Sequence, residues 1–241
     1  MLIASFFALA FLPWGNTGSE IVLVTANTTN LVPIYAVDTP EKKIAISFDA
    51  TWGAEETPKI LNTLDKYKIK STFFLVNIWL KKYPDVAKKI ANKGHEIGMH
   101  STTHPHFTKL SEQEMKQELQ DNHQLILATT NYNAKLFRPP FGDYDNRVVS
   151  VVNALGYKAI QWDVDSLDWK DLSASAIYER VLKRVKPGSI VLFHNNGKHT
   201  AEAIESIIAE LQKQGYKIVP VSQLIHQGDY FIDSNGRQKM R

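Results

Sequence analysis

Short apolar runs alternate with amphipathic stretches from Lys42 onward, the pattern expected of β-strands joined by helices. Strand-like runs occupy residues 44–48, 71–76, 95–99, 136–137, 157–162 and 190–193. Between them, Ile60, Leu61, Leu64 and Tyr67 share one helical face, and Pro84 opens a second helix that Gly94 closes. Ser111-Glu112-Gln113-Glu114 has capping-box spacing and starts a helix running to about Leu127, with Met115 and Leu119 inward. Ser173 caps a helix whose inner face is Ile177, Val181, Leu182 and Val185, stopped by Pro187-Gly188. Thr200 is the expected cap of the last helix, with the stripe Ile204, Ile207, Ile208 and Leu211 and with Gly215 at the left-handed C-terminal position. These stripes read as core, not as cofactor contacts. Six or seven strand-helix units fit the length, fewer than the eight of a closed barrel, so the expected fold is α/β: a distorted, incomplete (β/α) barrel of about seven units.

The amino terminus follows a different pattern. Residues 2–12 are almost wholly apolar, but Pro13-Trp14-Gly15-Asn16 ends the run well short of the roughly 20 residues a helix needs to cross a bilayer. The length suits the apolar core of a secretory signal, although no Lys or Arg precedes it and the first basic residue is Lys42. The chain thus divides into a signal or signal-anchor-like segment over 1–13, a lead-in over 14–41 with a β-branched stretch at 21–24, and a catalytic domain over 42–241. A hydrophobic segment packed on the domain is the alternative for the first of these. The anchor reading places the protein outside the cytosol, exported or held at a membrane.

At 241 residues and 44% apolar content the chain suits one large globular core. The net charge of +3 is small and the lysines are spread over several helices, which argues against a nucleic-acid partner. The absence of cysteine removes disulfides, thiolate nucleophiles and cysteine-ligated zinc.

Reactive side chains stand where the apolar runs stop. Asp49 follows 44–48, His100 and His104 follow 97–99, Arg138 follows 136–137, Asp163 and Asp165 follow 157–162, and His194 follows 190–193. In a parallel sheet or barrel such strand-end residues converge on one mouth although distant in sequence. Two imidazoles four residues apart can reach one metal ion from a single turn, and Pro105 keeps the segment from continuing as a helix. His95, His123 and His226 read as structural or solvated. His199 and Asn195 lie after His194, where substrate contact is open to them, and Asp143, Tyr144 and Asp145 suit a helix cap.

Five blocks in order carry a resemblance: Phe48-Asp49, then His100-Ser101-Thr102-Thr103-His104, Arg138-Pro139-Pro140-Phe141-Gly142, Asp165-Ser166-Leu167-Asp168-Trp169 and Leu192-Phe193-His194. Together they resemble the motifs of polysaccharide deacetylases with the NodB homology domain, carbohydrate esterase family four. The context Ser47-Phe48-Asp49-Ala50-Thr51-Trp52-Gly53 looks more like the sporulation-associated branch found in endospore-forming bacteria than like the chitin or rhizobial enzymes. The resemblance implies a hydrolase that removes N-acetyl groups from a cell-wall polysaccharide of peptidoglycan type, located in the cell envelope or spore compartment. It further implies a divalent metal, zinc or cobalt-like, that polarises the acetamide, with His100 and His104 as ligands. Asp49 would be general base, Arg138 would hold it ionised, His194 would be general acid and Asp165 would orient its ring. The Phe141 N–H would serve the oxyanion, and Trp169 and Leu192 would line an apolar wall for acetyl methyl and sugar.

One position departs from that pattern. Most members of the family carry a second aspartate after the first as third metal ligand, and this chain has Ala50, whose methyl group cannot bind a cation. Water, Thr51 or His106 could complete a weaker site, metal could bind only with substrate, or the domain could be silent. The rival to the hydrolase is therefore a metal-deficient glycan-binding or assembly protein on the same fold. A weaker third reading is a zinc amidase acting on a peptide stem.

Overall fold

The computed structural model describes residues 30–241. The apolar segment 1–13 and the β-branched stretch 21–24 lie outside that range. No helix of the described residues is long and apolar enough to cross a membrane.

The elements follow the alternation of the sequence. β1 (Ala36–Val37) and β2 (Lys43–Ala50) precede α1 (Thr57–Lys66), β3 (Thr72–Leu75), α2 (Asn77–Lys82), α3 (Pro84–Asn92) and β4 (Glu96–Met99). The long helix α4 (Glu112–Thr130) leads to β5 (Leu136–Phe137), α5 (Asn146–Ala154), β6 (Lys158–Ala159) and β7 (Val164–Asp165). Then come α6 (Ala174–Arg184), β8 (Ile190–His194), α7 (Thr200–Lys213), β9 (Lys217–Ile218), α8 (Val221–Leu224), β10 (Tyr230–Ile232) and β11 (Arg237–Met240). Single 3-10 turns follow β4, β5 and β7 at Phe107–Lys109, Pro140–Gly142 and Asp168–Lys170.

The main sheet runs β6-β5-β4-β3-β2-β8-β7, and β9 adds to the amino end of β2. Its ladders are parallel, with β2 central between β3 and β8. β6 and β7 are its two edges and no ladder of the described residues joins them, so the chain forms the expected distorted, incomplete (β/α) barrel with parallel strands and flanking helices. A strand covered on both faces is mostly apolar, and β2 is buried at every position from Ile44 to Ala50, with its two polar members there, Ser47 and Asp49, both bonded by Arg138. Phe48 stacks on Phe73 of β3 at 4.8 Å and lies 5.9 Å from Phe193 of β8, tying the three central strands under one aromatic layer.

The caps explain where the helices begin. Ser111 accepts from the Glu114 N–H while the Glu114 carboxylate accepts from the Ser111 N–H, closing the box read from sequence. Asp145 caps α5 through the Val148 N–H, and Ser173 caps α6 through the Ala176 N–H.

Three expectations need correction. The run 157–162 yields only the two-residue β6: the chain leaves that ladder after Ala159, Ile160 bridges Ile34 of the lead-in, and the next strand, β7, begins at Val164. Asp163 consequently sits at the amino end of β8, accepting from the Ile190 N–H and the Ser189 hydroxyl, away from the mouth. The cap residue of α7 is His199, and the Thr200 hydroxyl is engaged elsewhere. The lead-in strand β1 joins the β10–β11 hairpin in a separate three-stranded sheet, which the sequence pattern did not announce.

Candidate active site

Parallel register decides which strand-end residues meet. On the central ladder Asp49 of β2 is the register partner of His194 of β8, so the two side chains leave the sheet side by side. Both line a cavity of about 620 Å³ together with His100, His104, Phe141, Asp165, Trp169 and Leu192. Eight strand-end or loop residues from five separate blocks thus face one space.

Arg138 is fully buried behind Asp49 and donates to its Oδ1 at 2.7 Å. Its second amino group donates to the Ser47 hydroxyl at 2.9 Å and the Gln161 carbonyl at 3.1 Å, and the guanidinium lies 4.1 Å from the Phe74 ring. Phe74 reaches that position because residue 98 is glycine: a Cβ there would stand 2.4 Å from its ring. Burial by itself would raise the Asp49 carboxyl, but the charges of Arg138 and His194 and the Arg138 hydrogen bond hold it below the ordinary carboxylate range. Asp49 is therefore an ionised acceptor with one oxygen fixed by Arg138 and the other, Oδ2, 3.6 Å from His100 Nε2.

The opposite setting is built around His194. Its Nδ1 meets Asp168 Oδ1 at 2.8 Å, its backbone N–H donates to Asp168 Oδ2 at 2.7 Å, and the Thr200 hydroxyl donates to the same oxygen at 2.6 Å. Burial would lower the imidazole, yet the Asp168 hydrogen bond and charge, with Asp49 and Asp165 adding to them, raise it above its usual value. The orienting carboxylate is thus Asp168, and Asp165 does not fill that role. Asp165 Oδ1 instead accepts from the Leu167 N–H at 2.8 Å, and the left-handed turn at Leu167 (φ 54°) brings Asp168 back beneath His194. Asp165 still lines the cavity. Two residues the sequence reading missed, Ser47 and Thr200, complete these networks. Thr200 stands before a helical stripe, where a threonine is commonly a cap, yet its hydroxyl serves Asp168.

The imidazole pair forms the third part. His100 Nδ1 bonds the Arg138 carbonyl oxygen at 2.8 Å, which places the proton there and leaves Nε2 turned to the cavity. The His104 N–H is held by the Ser101 hydroxyl, with φ 61° at His104, and the two rings are 5.0 Å apart. Burial lowers both, His104 to about 4, so both are neutral bases with lone pairs available to a cation. The donor set suits a divalent ion with respect to these two nitrogens. It falls short of the three protein ligands usual in catalytic zinc sites, since no group of three His, Cys, Asp or Glu suited to a metal occurs among the described residues and Ala50 offers only a buried methyl. Thr51 lines the cavity, but His106 stacks on Phe141 at 4.3 Å and faces Asp143 at 3.6 Å, outside it.

Neither residue considered for substrate contact after His194 lines the cavity. Asn195 is fully buried and donates to the Gly53 carbonyl and the Thr57 hydroxyl, and His199 starts α7 beside Glu202. The Phe141 backbone sits at φ 60° in a turn closed by the Gly142 and Asp143 amides, with its ring exposed at the cavity mouth.

A family model described as polysaccharide deacetylase matches residues 36–160. The Bacillus subtilis protein YlxY is 32% identical over 81% of this chain, which spans only 61% of YlxY. A Bacillus cereus peptidoglycan-N-acetylglucosamine deacetylase is 34% identical, covering 79% of this chain and 71% of that protein. Among solved structures, a CE4 family pseudoenzyme from Bacillus anthracis superposes with a TM-score of 0.77 at 36% identity over 80% of this chain and 68% of that one. A mutant of that pseudoenzyme with restored enzymatic activity superposes equally, at 37% identity.

Proposed function

Since the chain belongs to the polysaccharide deacetylase family, we propose that it removes N-acetyl groups from an acetylated sugar of a cell-wall glycan of peptidoglycan type. The observation that carries this reading is the register pairing of a carboxylate set to be ionised, Asp49, with an imidazole set to be protonated, His194, in one cavity. Two titratable groups whose surroundings drive their protonation apart are what general base and general acid require.

In the reaction, Asp49 accepts a proton from water as the oxygen attacks the acetamide carbon. Arg138 keeps the carboxylate ionised and aimed. The carbon–nitrogen bond then breaks, His194 gives its proton to the departing sugar nitrogen, and acetate leaves. Asp168 holds the His194 ring and stabilises its charged form. In this reading the Phe141 N–H serves the tetrahedral oxyanion, and Trp169 and Leu192 form the apolar wall for the acetyl methyl. A divalent metal bound by His100 and His104 would act as a Lewis acid on the carbonyl, more weakly held than with three protein ligands. Relatives from Bacillus and the context around Asp49 support a role in the envelope of a spore-forming bacterium.

Ala50 and the likeness to a pseudoenzyme support a second reading, a glycan-binding protein without catalysis. Acetate release from N-acetylglucosamine oligomers and from peptidoglycan, with and without added zinc or cobalt, separates the two. The hydrolase reading expects acetate from the wild type and a loss of about 10²–10⁴-fold in Asp49→Asn. Glycan binding with no acetate under any metal supports the silent protein, and release of amino acids would instead support an amidase.

A further inference from the structure

Seven large apolar side chains are exposed among the described residues, and three of them, Trp52, Phe141 and Trp169, rim the one cavity that holds Asp49 and His194. Trp169 follows β7 and Phe141 follows β5, at blocks already given roles. Trp52 has none. It is 59% exposed, an unfavourable state for the largest apolar side chain unless a ligand covers it.

The segment that carries it is built to be rigid. Gly53, at φ 56°, turns the chain, and its carbonyl accepts from two buried donors, Trp79 Nε1 at 2.6 Å and Asn195 Nδ2 at 2.9 Å. A Cβ at residue 53 would come within 2.6 Å of Glu55 Oε2 and 3.3 Å of Asn196 Cβ, so the close turn needs glycine. An indole carried on backbone fixed in this way loses less freedom when something stacks on it than one on a mobile loop.

Its neighbours indicate what that is. The Trp52 ring stands 6.3 Å from His104, and His104 stands 4.6 Å from Phe141, so the three rings make one continuous aromatic ridge. Trp169 lies across the mouth, beyond Leu192 and His194 in the strand order β2-β8-β7. With the reacting sugar seated against Trp169 and Leu192, the Trp52 ridge is left over for a second ring. A cavity of about 620 Å³ is also far larger than an acetyl group requires, within the roughly 300–1,000 Å³ of sites that enclose a whole ligand.

We propose that Trp52 is the stacking platform for the pyranose ring adjacent to the one being deacetylated, and thereby sets a preference for polymeric over single-sugar substrates. A pyranose offers an apolar C–H face to an indole and equatorial hydroxyls to the polar groups of the same rim, Asn196, Asp171 and Lys198. The inference rests on the glycan reading above, and its test is independent of catalysis.

The test is calorimetric titration of Asp49→Asn protein, which keeps substrate intact, with N-acetylglucosamine monomer, dimer and pentamer. Tighter binding with length is expected. Adding Trp52→Ala should weaken pentamer binding about tenfold and flatten the length dependence, and Trp52→Phe should recover part of it. Thermal melting checks that each variant is folded. Length dependence unchanged in Trp52→Ala, or no binding of any oligomer to either protein, overturns the platform. Binding that behaves as expected in a protein releasing no acetate would retain the platform and reject the hydrolase, so the two readings fail separately.

Discussion

The two halves of the cavity floor are finished to different degrees. On the side of Asp49 and His194 each charged group has its counterpart: Arg138 and Ser47 behind the carboxylate, Asp168 and Thr200 behind the imidazole. On the side of His100 and His104 the Arg138 carbonyl orients the His100 ring and the Ser101 hydroxyl holds the His104 backbone N–H, yet position 50, after Asp49, carries only a buried methyl. The acid–base half depends on local charge pairs that the protein supplies itself. The imidazole half, on the reading proposed above, would depend on an ion whose retention scales with the number of anionic ligands. A chain can therefore keep the first in working order while the second is weak.

Replacing one partner in the finished half should have the larger effect. Asp168→Asn removes the hydrogen bond and charge that lift His194, and acetate release should fall about 10²–10⁴-fold, most steeply at alkaline pH, as read from steady-state rates. In the unfinished half, Ala50→Asp supplies the missing carboxylate and should tighten zinc or cobalt binding about tenfold to a hundredfold, measured by calorimetry. Unchanged affinity in that variant would show that position 50 does not face the pair. The smallest effect is expected behind both halves. Gly98→Ala would push its methyl into Phe74, the ring against the Arg138 guanidinium, and should cost about 1–3 kcal/mol in denaturant unfolding.

Much of this was legible beforehand because it depends on period and position. Alternating apolar runs and helical stripes point to the barrel, and strand-end placement brings Asp49, His100 and His194 to one cavity with Arg138 bonded behind Asp49. What escaped depends on turns. Asp163, Asp165 and Asp168 are alike in composition, and only the left-handed turn at Leu167 selects Asp168 as the partner of His194. Thr200 precedes a helical stripe just as a cap would, and its engagement with Asp168 follows from the path of the loop after β8. The early end of β6 at Ala159 goes with the lead-in segment bridging Ile160, a long-range pairing that no local pattern encodes.

The dependence of kcat/KM on pH tests the central claim most directly, because base and acid leave opposite limbs. Asp49 acts deprotonated and its carboxyl is held low, so activity should be lost only as pH falls below the usual carboxylate range. His194 acts protonated and is held high, so activity should persist above pH 6.5, the ordinary imidazole value, and be lost as pH rises through the raised pKa. Asp168→Asn should move that alkaline limb to lower pH and leave the acid limb in place. A rate that climbs without limit into the alkaline range, or an alkaline limb indifferent to Asp168, would contradict the pairing of Asp49 and His194 as base and acid.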